Sequence, residues 1–379
     1  MSFAGSELRV SSGGGNRKVL CFSIGLPGRF SQWCDEVVAR LVGSSGNSVM
    51  VERWPSNAEM LTYERYPRIL DRLACFAIGA EATHIVIGAR QPDVGLSHAL
   101  AETQARFLLA LDQPRLAVAD MLDETGADAA LATRAVANSC ALLMPYSLLP
   151  GALVLFGGAA RANLGATVLT IAGHFGISIE ADQAQAISNI VSADDGYPAG
   201  GRDWMSRVPL AGGKTVGGAL SGYDEWFEGR GLGQLVWNRD LFIRSDQQRP
   251  ANEVIDISGA AGTLIHGPYI NLPPGTWNAR VHLGLSPEAA QCPLVIDVHA
   301  EGQLAAVTLQ PNVPGVHTAD LTFSLGEAIG QGIEVRVNVA SSEAKGHLAF
   351  GYVVLTPAGL QHPEAEIAWE EEFRASLDI

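Results

Sequence analysis

The hydrophobic period changes partway along this chain of 379 residues, and that change limits what it can fold into. Up to about residue 191, short apolar runs alternate with segments whose apolar residues recur every three or four positions. From Leu235 onward they recur every second position. One layered architecture does not accommodate both patterns, so the chain reads as an α/β part followed by an all-β part.

In the first part, the apolar runs at 19–24, 49–52, 84–88, 106–111 and 153–156 read as buried strands. Trp33, Val37, Val38, Leu41 and Val42 mark one face of a helix, and Leu61, Ile69, Leu70, Leu73 and Phe76 mark another over 60–76. Further helices fit 114–124, 128–143, 160–174 and 181–191. Strands alternating with helices predict a Rossmann-like parallel sheet covered by helices on both faces.

In the second part, Trp277, Ala279, Val281 and Leu283 alternate with polar residues. So do Leu294, Ile296 and Val298, then Ala319, Leu321 and Phe323, then Ile333, Val335, Val337 and Val339. Pro273–Gly275, Glu301–Gly302 and Pro314–Gly315 supply turns. About eight or nine such strands make an antiparallel β-sandwich, jelly-roll-like. Between the parts, residues 192–233 hold eleven glycines. Tyr197, Trp204, Tyr223, Trp226 and Phe227 among them predict a connector packed along a surface, with a helix near 218–228, instead of a free linker. The expected divisions are a disordered leader (1–17), the α/β domain (18–191), the connector (192–233), the sandwich (234–358) and an acidic tail (359–379). The tail carries Glu364, Glu366, Glu370, Glu371, Glu372 and Asp378.

Composition excludes several functions. Hydrophobic residues make up 47% of the chain and charged ones 17%, which is the balance of a chain with large cores. The net charge is −15, and Lys18, Lys214 and Lys345 stand far apart, so a groove for nucleic acid is not expected. The five cysteines, Cys21, Cys34, Cys75, Cys140 and Cys292, have no metal-ligand spacing and suit a reducing cytoplasm. Residues 1–17 lack the apolar stretch of an export signal, and no window is long enough for a membrane span.

The strongest chemical signal follows the first strand. Gly25, Leu26, Pro27, Gly28, Arg29, Phe30, Ser31, Gln32 and Trp33 form a Gly/Pro turn leading into a helix. Backbone N–H groups at such a helix start present partial positive charge to an anion. A Walker loop needs a second glycine and a lysine, and Phe30 stands at the fifth place after Gly25. The segment resembles the phosphate loop of sulfotransferases, matching it at Gly25, Leu26, Pro27, Ser31 and Trp33. Gly28 stands where that family has a basic residue, and Phe30 where it has its second glycine. A ring at Phe30 is expected to obstruct close approach of a phosphate. In the same resemblance, an arginine after a strand and a serine eight residues on hold the nucleotide's 3′-phosphate. Here Arg90 is followed by Ser97 after seven. The resemblance spans about 19–191. It implies a phosphate-binding set of Gly25, Gly28, Arg29, Ser31, Arg90 and Ser97, with no catalytic residue identified.

In the sandwich, residues 265–280 resemble carbohydrate-binding β-sandwiches attached to bacterial polysaccharide proteins. Trp237 and Tyr269 are the expected stacking aromatics, and Asn271 and Arg280 the expected hydroxyl-binding groups. Trp277 falls on the inward register, which makes it a core residue. Gly212–Thr215 looks like the end of a phosphate loop but lacks the preceding strand. His282, His299 and Asp297 could meet as a metal site across a sheet, yet ordinary surface roles fit them better, and no metal is expected.

The resulting expectation is a non-catalytic, cytoplasmic accessory protein of bacterial surface-polysaccharide production. It would bind a glycan or a partner protein, without cofactor, nucleic acid or membrane span, and with self-association open. Two alternatives stand beside it: an active sulfotransferase using 3′-phosphoadenosine 5′-phosphosulfate, and a structural assembly subunit.

Overall fold

Five parallel strands form the body of the first, seven-stranded sheet, and the central ones are buried at nearly every position, as the continuous apolar runs require. The computed structural model describes residues 2–4, 7–11, 17–61, 69–72, 82–195, 204–227, 230–259, 261–326 and 332–358. The chain divides into two compact units. One is Met1–Asp128 with Ser139–Pro209, and the other is Ala129–Asn138 with Leu210–Ile379.

In the first unit, two short strands, β1 (Ser2–Ala4) and β2 (Glu7–Ser11), precede β3 (Arg17–Gly25). The stretch expected to be a disordered leader thus contains an antiparallel pair, and β2 continues onto the start of β3. The parallel strands are β3, β4 (Val49–Trp54), β5 (His84–Ala89), β6 (Phe107–Leu111) and β7 (Ala152–Phe156). They lie in the order β4-β5-β3-β6-β7. The chain leaves β3 toward β4 and β5 on one side and later adds β6 and β7 on the other. The β3 carboxyl end is therefore the topological switch point, where open α/β sheets bind ligands.

Helix α1 (Arg29–Gly43) follows β3, and α2 (Asn57–Met60) follows β4. The helix expected over 60–76 falls largely outside the described residues. Next come α3 (Val94–Thr103), α4 (Pro114–Thr125) and α5 (Ala129–Leu143). The single helix expected over 160–174 is two, α6 (Gly157–Ala162) and α7 (Leu164–Phe175), because the Asn163 side chain accepts the Ala166 N–H and starts a new helix. Helix α8 (Ala181–Asp195) completes the unit's regular helices. The core joins Trp33, Val37, Val38 and Leu41 of α1 to Val86 and Leu108 of the sheet and to Val168 and Ile171 of α7. Each fully buried aliphatic side chain there contributes about 1.5–3 kcal/mol.

Residues 129–138, expected in the α/β domain, group with the second unit. Two long-range bonds lie within that unit: Arg134 Nη2 donates to the Leu241 carbonyl, and the Asn271 N–H donates to Asn138 Oδ1. The connector's helix is longer than expected. It is α9 (Leu210–Phe227), and it takes in Gly212–Thr215, so no phosphate loop exists there. Its glycines permit close packing on the strand that follows: a Cβ on Gly218 would lie 2.9 Å from the Val236 carbonyl oxygen.

The sandwich begins with β8 (Leu235–Asn238), β9 (Ile243–Arg244), β10 (Arg249–Pro250), β11 (Ile255–Asp256), β12 (Gly262–His266) and β13 (Pro268–Ile270). Longer strands follow: β14 (Gly275–Leu285), β15 (Leu294–His299), β16 (Gln303–Leu309), β17 (Gly315–Leu325), β18 (Ile333–Val339) and β19 (His347–Pro357). One sheet runs β10-β9-β12-β18-β15-β16, with β13 also on β18, and the other runs β11-β19-β14-β17, with β8 on β19. All pairs are antiparallel, as the alternation predicts. Ile296, Val335 and Val337 from one sheet and Trp277, Val281, Phe323 and Val353 from the other are buried. The acidic tail lies outside the described residues. Among the described residues, no helix is long and apolar enough to cross a membrane.

Candidate functional site

The loop after β3 lies flat on the end of β6. The Leu26 N–H donates to the Ala110 carbonyl at 3.4 Å. A Cβ on Gly25 would stand 2.4 Å from Ser31 Oγ and 2.5 Å from the Ala110 oxygen, so only glycine fits. The structure brings Gly25 and Ser31 together, and the Ser31 hydroxyl is buried, 3.5 Å from that same carbonyl.

Gly28 is the N-cap of α1 and offers no side chain to it. An anion is nevertheless in place. Asp120 on α4 accepts the Arg29 N–H at 2.9 Å through Oδ2. Its Oδ1 accepts from Arg207 Nη2 at 2.6 Å and lies 3.6 Å from Arg29 Nε. Arg207 also bridges to Asp123 at 2.7 Å. Burial opposes the Arg207 charge, but the bonds from Asp120 and Asp123 outweigh it and raise the guanidinium's pKa. Glu124 extends the same acidic side of α4, accepting from Gln32 and Asn57 side chains.

Phe30 requires a correction. Its ring does not stand over the loop. It is buried in the core, stacked at 14° on Trp33 with centroids 6.3 Å apart. What faces the Arg29 N–H at the loop is the Asp120 carboxylate.

Arg90 leaves the end of β5, where its N–H donates to the Trp54 carbonyl. Its guanidinium is 2% exposed and donates to Asp35 Oδ2 of α1 at 2.5 Å. Arg53 donates to the same oxygen at 2.9 Å and to Glu36 at 2.8 Å. Ser97 lies in the first turn of α3, and its hydroxyl donates to the Val94 carbonyl at 2.8 Å. Arg90 is therefore turned to Asp35, while Ser97 is turned to its own helix. At the end of β6, Arg161 grips Asp112 through two bonds of 2.6 and 2.9 Å. Beside this network the Cys34 thiol is pushed well up by burial, with Asp35 adding to the effect.

Sequence reasoning missed Asp35, Asp120, Asp123 and Arg207. Asp35 alone had a signal, as an acid flanked by the apolar helix positions Cys34 and Val37. Asp120 and Asp123 read as ordinary surface acids, and Arg207 sits in the glycine-rich connector.

In the sandwich, Trp237 is fully buried on β8 opposite Val353, so its indole offers no face for stacking on a sugar. That expectation is corrected: the ring is core. Trp277 is buried as expected, donating Nε1–H to the Pro273 carbonyl. Tyr269 is half-buried on β13, at a φ of 65°. Its hydroxyl is 2.6 Å from His266 Nδ1 and 3.2 Å from Glu334 Oε1. Asn271 donates its N–H to Asn138 Oδ1 at 2.6 Å, and its own Oδ1 is buried. Arg280 pairs with Asp320 at 2.8 Å on the other sheet, so it does not share a site with Tyr269. His282 and His299 also lie on different sheets, and Asp297 is engaged by Arg336. Among the described residues, no three His, Cys, Asp or Glu side chains could hold a metal ion.

No family model and no curated protein matches the chain. Among solved structures, a mouse sulfotransferase complexed with PAP is similar over 51% of this chain and 79% of its own, at 9% identity and a TM-score of 0.38. Retinol dehydratase in complex with retinol and PAP is similar over 51% of this chain and 76% of its own, at 10% identity and a TM-score of 0.32. A xylan-binding module is similar over 33% of this chain and 98% of its own, at 12% identity and a TM-score of 0.25. The chain is thus similar to sulfotransferases over half its length and to a carbohydrate-binding module over another part.

Proposed function

We propose that the chain is a non-catalytic, cytoplasmic accessory protein of bacterial surface-polysaccharide production that binds glycan or a partner protein, and whose sulfotransferase-like half has lost its nucleotide. One observation carries this reading. The N–H that opens α1 is already bonded to a carboxylate of the same chain, Asp120. Sulfuryl transfer requires preorganised positive charge left available for the anion that develops. Here Arg29 and Arg207 face Asp120, Arg53 and Arg90 face Asp35, and Arg161 faces Asp112. A nucleotide phosphate would have to displace Asp120 and then share the loop with it at like charge. The residues therefore do not fit 3′-phosphoadenosine 5′-phosphosulfate, and the reading assigns no cofactor. Of the candidate glycan contacts, it retains Tyr269.

Calorimetry with 3′-phosphoadenosine 5′-phosphate tests the first half of this reading. The full chain should give no heat of binding. Tight binding that is lost in Arg29→Ala would restore the alternative, an active sulfotransferase using Gly25, Gly28, Arg29 and Ser31 around the phosphate. A flat response to every glycan would leave the structural assembly subunit as the better description.

A further inference from the structure

The outer face of the β12/β13–β18–β15 sheet carries a connected polar belt. On β18, Glu334, Arg336 and Asn338 point away from the core, because Val335, Val337 and Val339 point in. Arg336 donates to both oxygens of Asp297 on β15, at 2.7 and 3.0 Å. Asn338 Nδ2 lies 3.3 Å from Asp297 Oδ2, and its Oδ1 takes the Thr263 hydroxyl proton at 2.7 Å, which fixes the amide. At the other end, the Tyr269 hydroxyl touches Glu334 and His266.

Tyr269 is held there at some cost. Its φ of 65° lies in the left-handed region, uncommon for a residue with a large side chain. A Cβ on Gly332 would stand 2.3 Å from the Tyr269 carbonyl carbon and oxygen, so the neighbouring chain is glycine where it passes. Non-glycine residues kept in such conformations cluster at functional sites.

The proton arithmetic of the belt leaves a defined set of groups. A carboxylate is the stronger acceptor, so the phenol donates to Glu334 and accepts Nδ1–H from His266. His266 Nε2 is then an acceptor. Among the described residues, the second Glu334 oxygen and Arg336 Nη1 are also uncommitted. Two acceptors and one donor, held rigidly beside a half-buried aromatic ring, match the vicinal hydroxyls of a sugar, each of which can both donate and accept. The charge sum narrows the class. Asp297 cancels Arg336, Glu334 remains, and burial keeps His266 neutral, so the belt is negative and repels carboxylated or sulfated sugars.

We propose that Tyr269, His266, Glu334 and Arg336 form a binding site for a neutral glycan. This rests on the glycan-binding reading above and gives it a place and a charge class. The test is calorimetry on the full chain with xylohexaose, cellohexaose, mannohexaose and hexagalacturonate. At least one neutral hexaose should bind and hexagalacturonate should not. Tyr269→Phe and Glu334→Gln, checked for unchanged melting, should each weaken binding by about tenfold or more, the loss of one good hydrogen bond to a charged or rigid partner. Thr318→Ala, on the other sheet, should bind as the parent does. If a neutral hexaose binds and both variants retain full affinity, the site lies elsewhere while the glycan-binding reading stands. Preference for hexagalacturonate would overturn the ligand class. If none of the four binds, the glycan-binding reading itself falls.

Discussion

Asp120 and Arg29 meet where α1 begins: the carboxylate of one accepts the backbone N–H of the other at 2.9 Å. The two residues lie 91 positions apart in the chain, and Arg207, 87 positions beyond Asp120, closes the cluster at 2.6 Å. The arrangement does for the helix start what a bound anion does elsewhere. Asp120→Ala should therefore destabilise the protein by about 1–2 kcal/mol through loss of the cap and of the charge beside the helix dipole. It should also create a dependence on solution anions. Thermal melts in rising inorganic phosphate should show Asp120→Ala stabilised progressively, with the parent unaffected by comparison. Equal stabilisation of both would mean that Asp120 does not occupy an anion position.

The Asp35–Arg90 pair gives a second prediction. Both side chains are essentially inaccessible, at 0% and 2% exposure. Breaking a buried pair leaves an uncompensated charge, which costs about 3–5 kcal/mol. Arg90→Met alone should approach that figure in urea unfolding. Asp35→Leu combined with Arg90→Met should be markedly milder than the sum of the two single changes, with Arg53 falling back on Glu36, 2.8 Å away. Additive losses would indicate that the two side chains stabilise the unit separately.

The parallel strands were legible because a buried strand needs only a short apolar run bounded by turns, and each expected run lies within an observed strand to within a residue or two. The sandwich strands were legible through strict alternation, as in Ile333–Val339. What the sequence could not show was pairing at a distance. Residues 129–138 look like any α/β helix, yet they group with the second unit, where Arg134 reaches the Leu241 carbonyl. Asp120 looks like any surface acid until the fold brings its carboxylate to the Arg29 N–H. Trp237 illustrates the opposite error, an aromatic read as a platform although it is fully buried on β8, a strand whose partner, β19, lies more than a hundred residues on.

Gly332 and Tyr269 supply a third prediction. Alanine at 332 places a carbon 2.3 Å from the Tyr269 carbonyl, so the backbone must move. Overpacking of this kind costs about 1–3 kcal/mol. Gly332→Ala should lower the melting temperature and weaken neutral-glycan binding together, because Tyr269 shifts with its backbone. Gly302→Ala, where a Cβ meets nothing within 4 Å, should change stability by no more than about 0.5 kcal/mol. A Gly332→Ala protein that melts and binds like the parent would show that Tyr269 is not held by this contact.

The final prediction concerns pH. Burial holds His266 below the ordinary histidine value, with Glu334 pulling the other way and Arg336 adding to the depression. Burial also lowers His174 on α7, whose Nε2 lies 3.1 Å from the Phe107 carbonyl. In both cases the unfolded chain takes up the proton more readily than the folded one, so stability increases with pH across the window. The contribution is complete above the unfolded histidine value of about 6.5 and is lost as pH falls through the depressed folded values. Urea midpoints measured from pH 8 down to 5 should therefore decline on the acid side. His266→Gln and His174→Gln should each flatten part of that decline, and the double variant more than either. A midpoint that rises on acidification, or a slope untouched in the double variant, would assign the acid response to other groups.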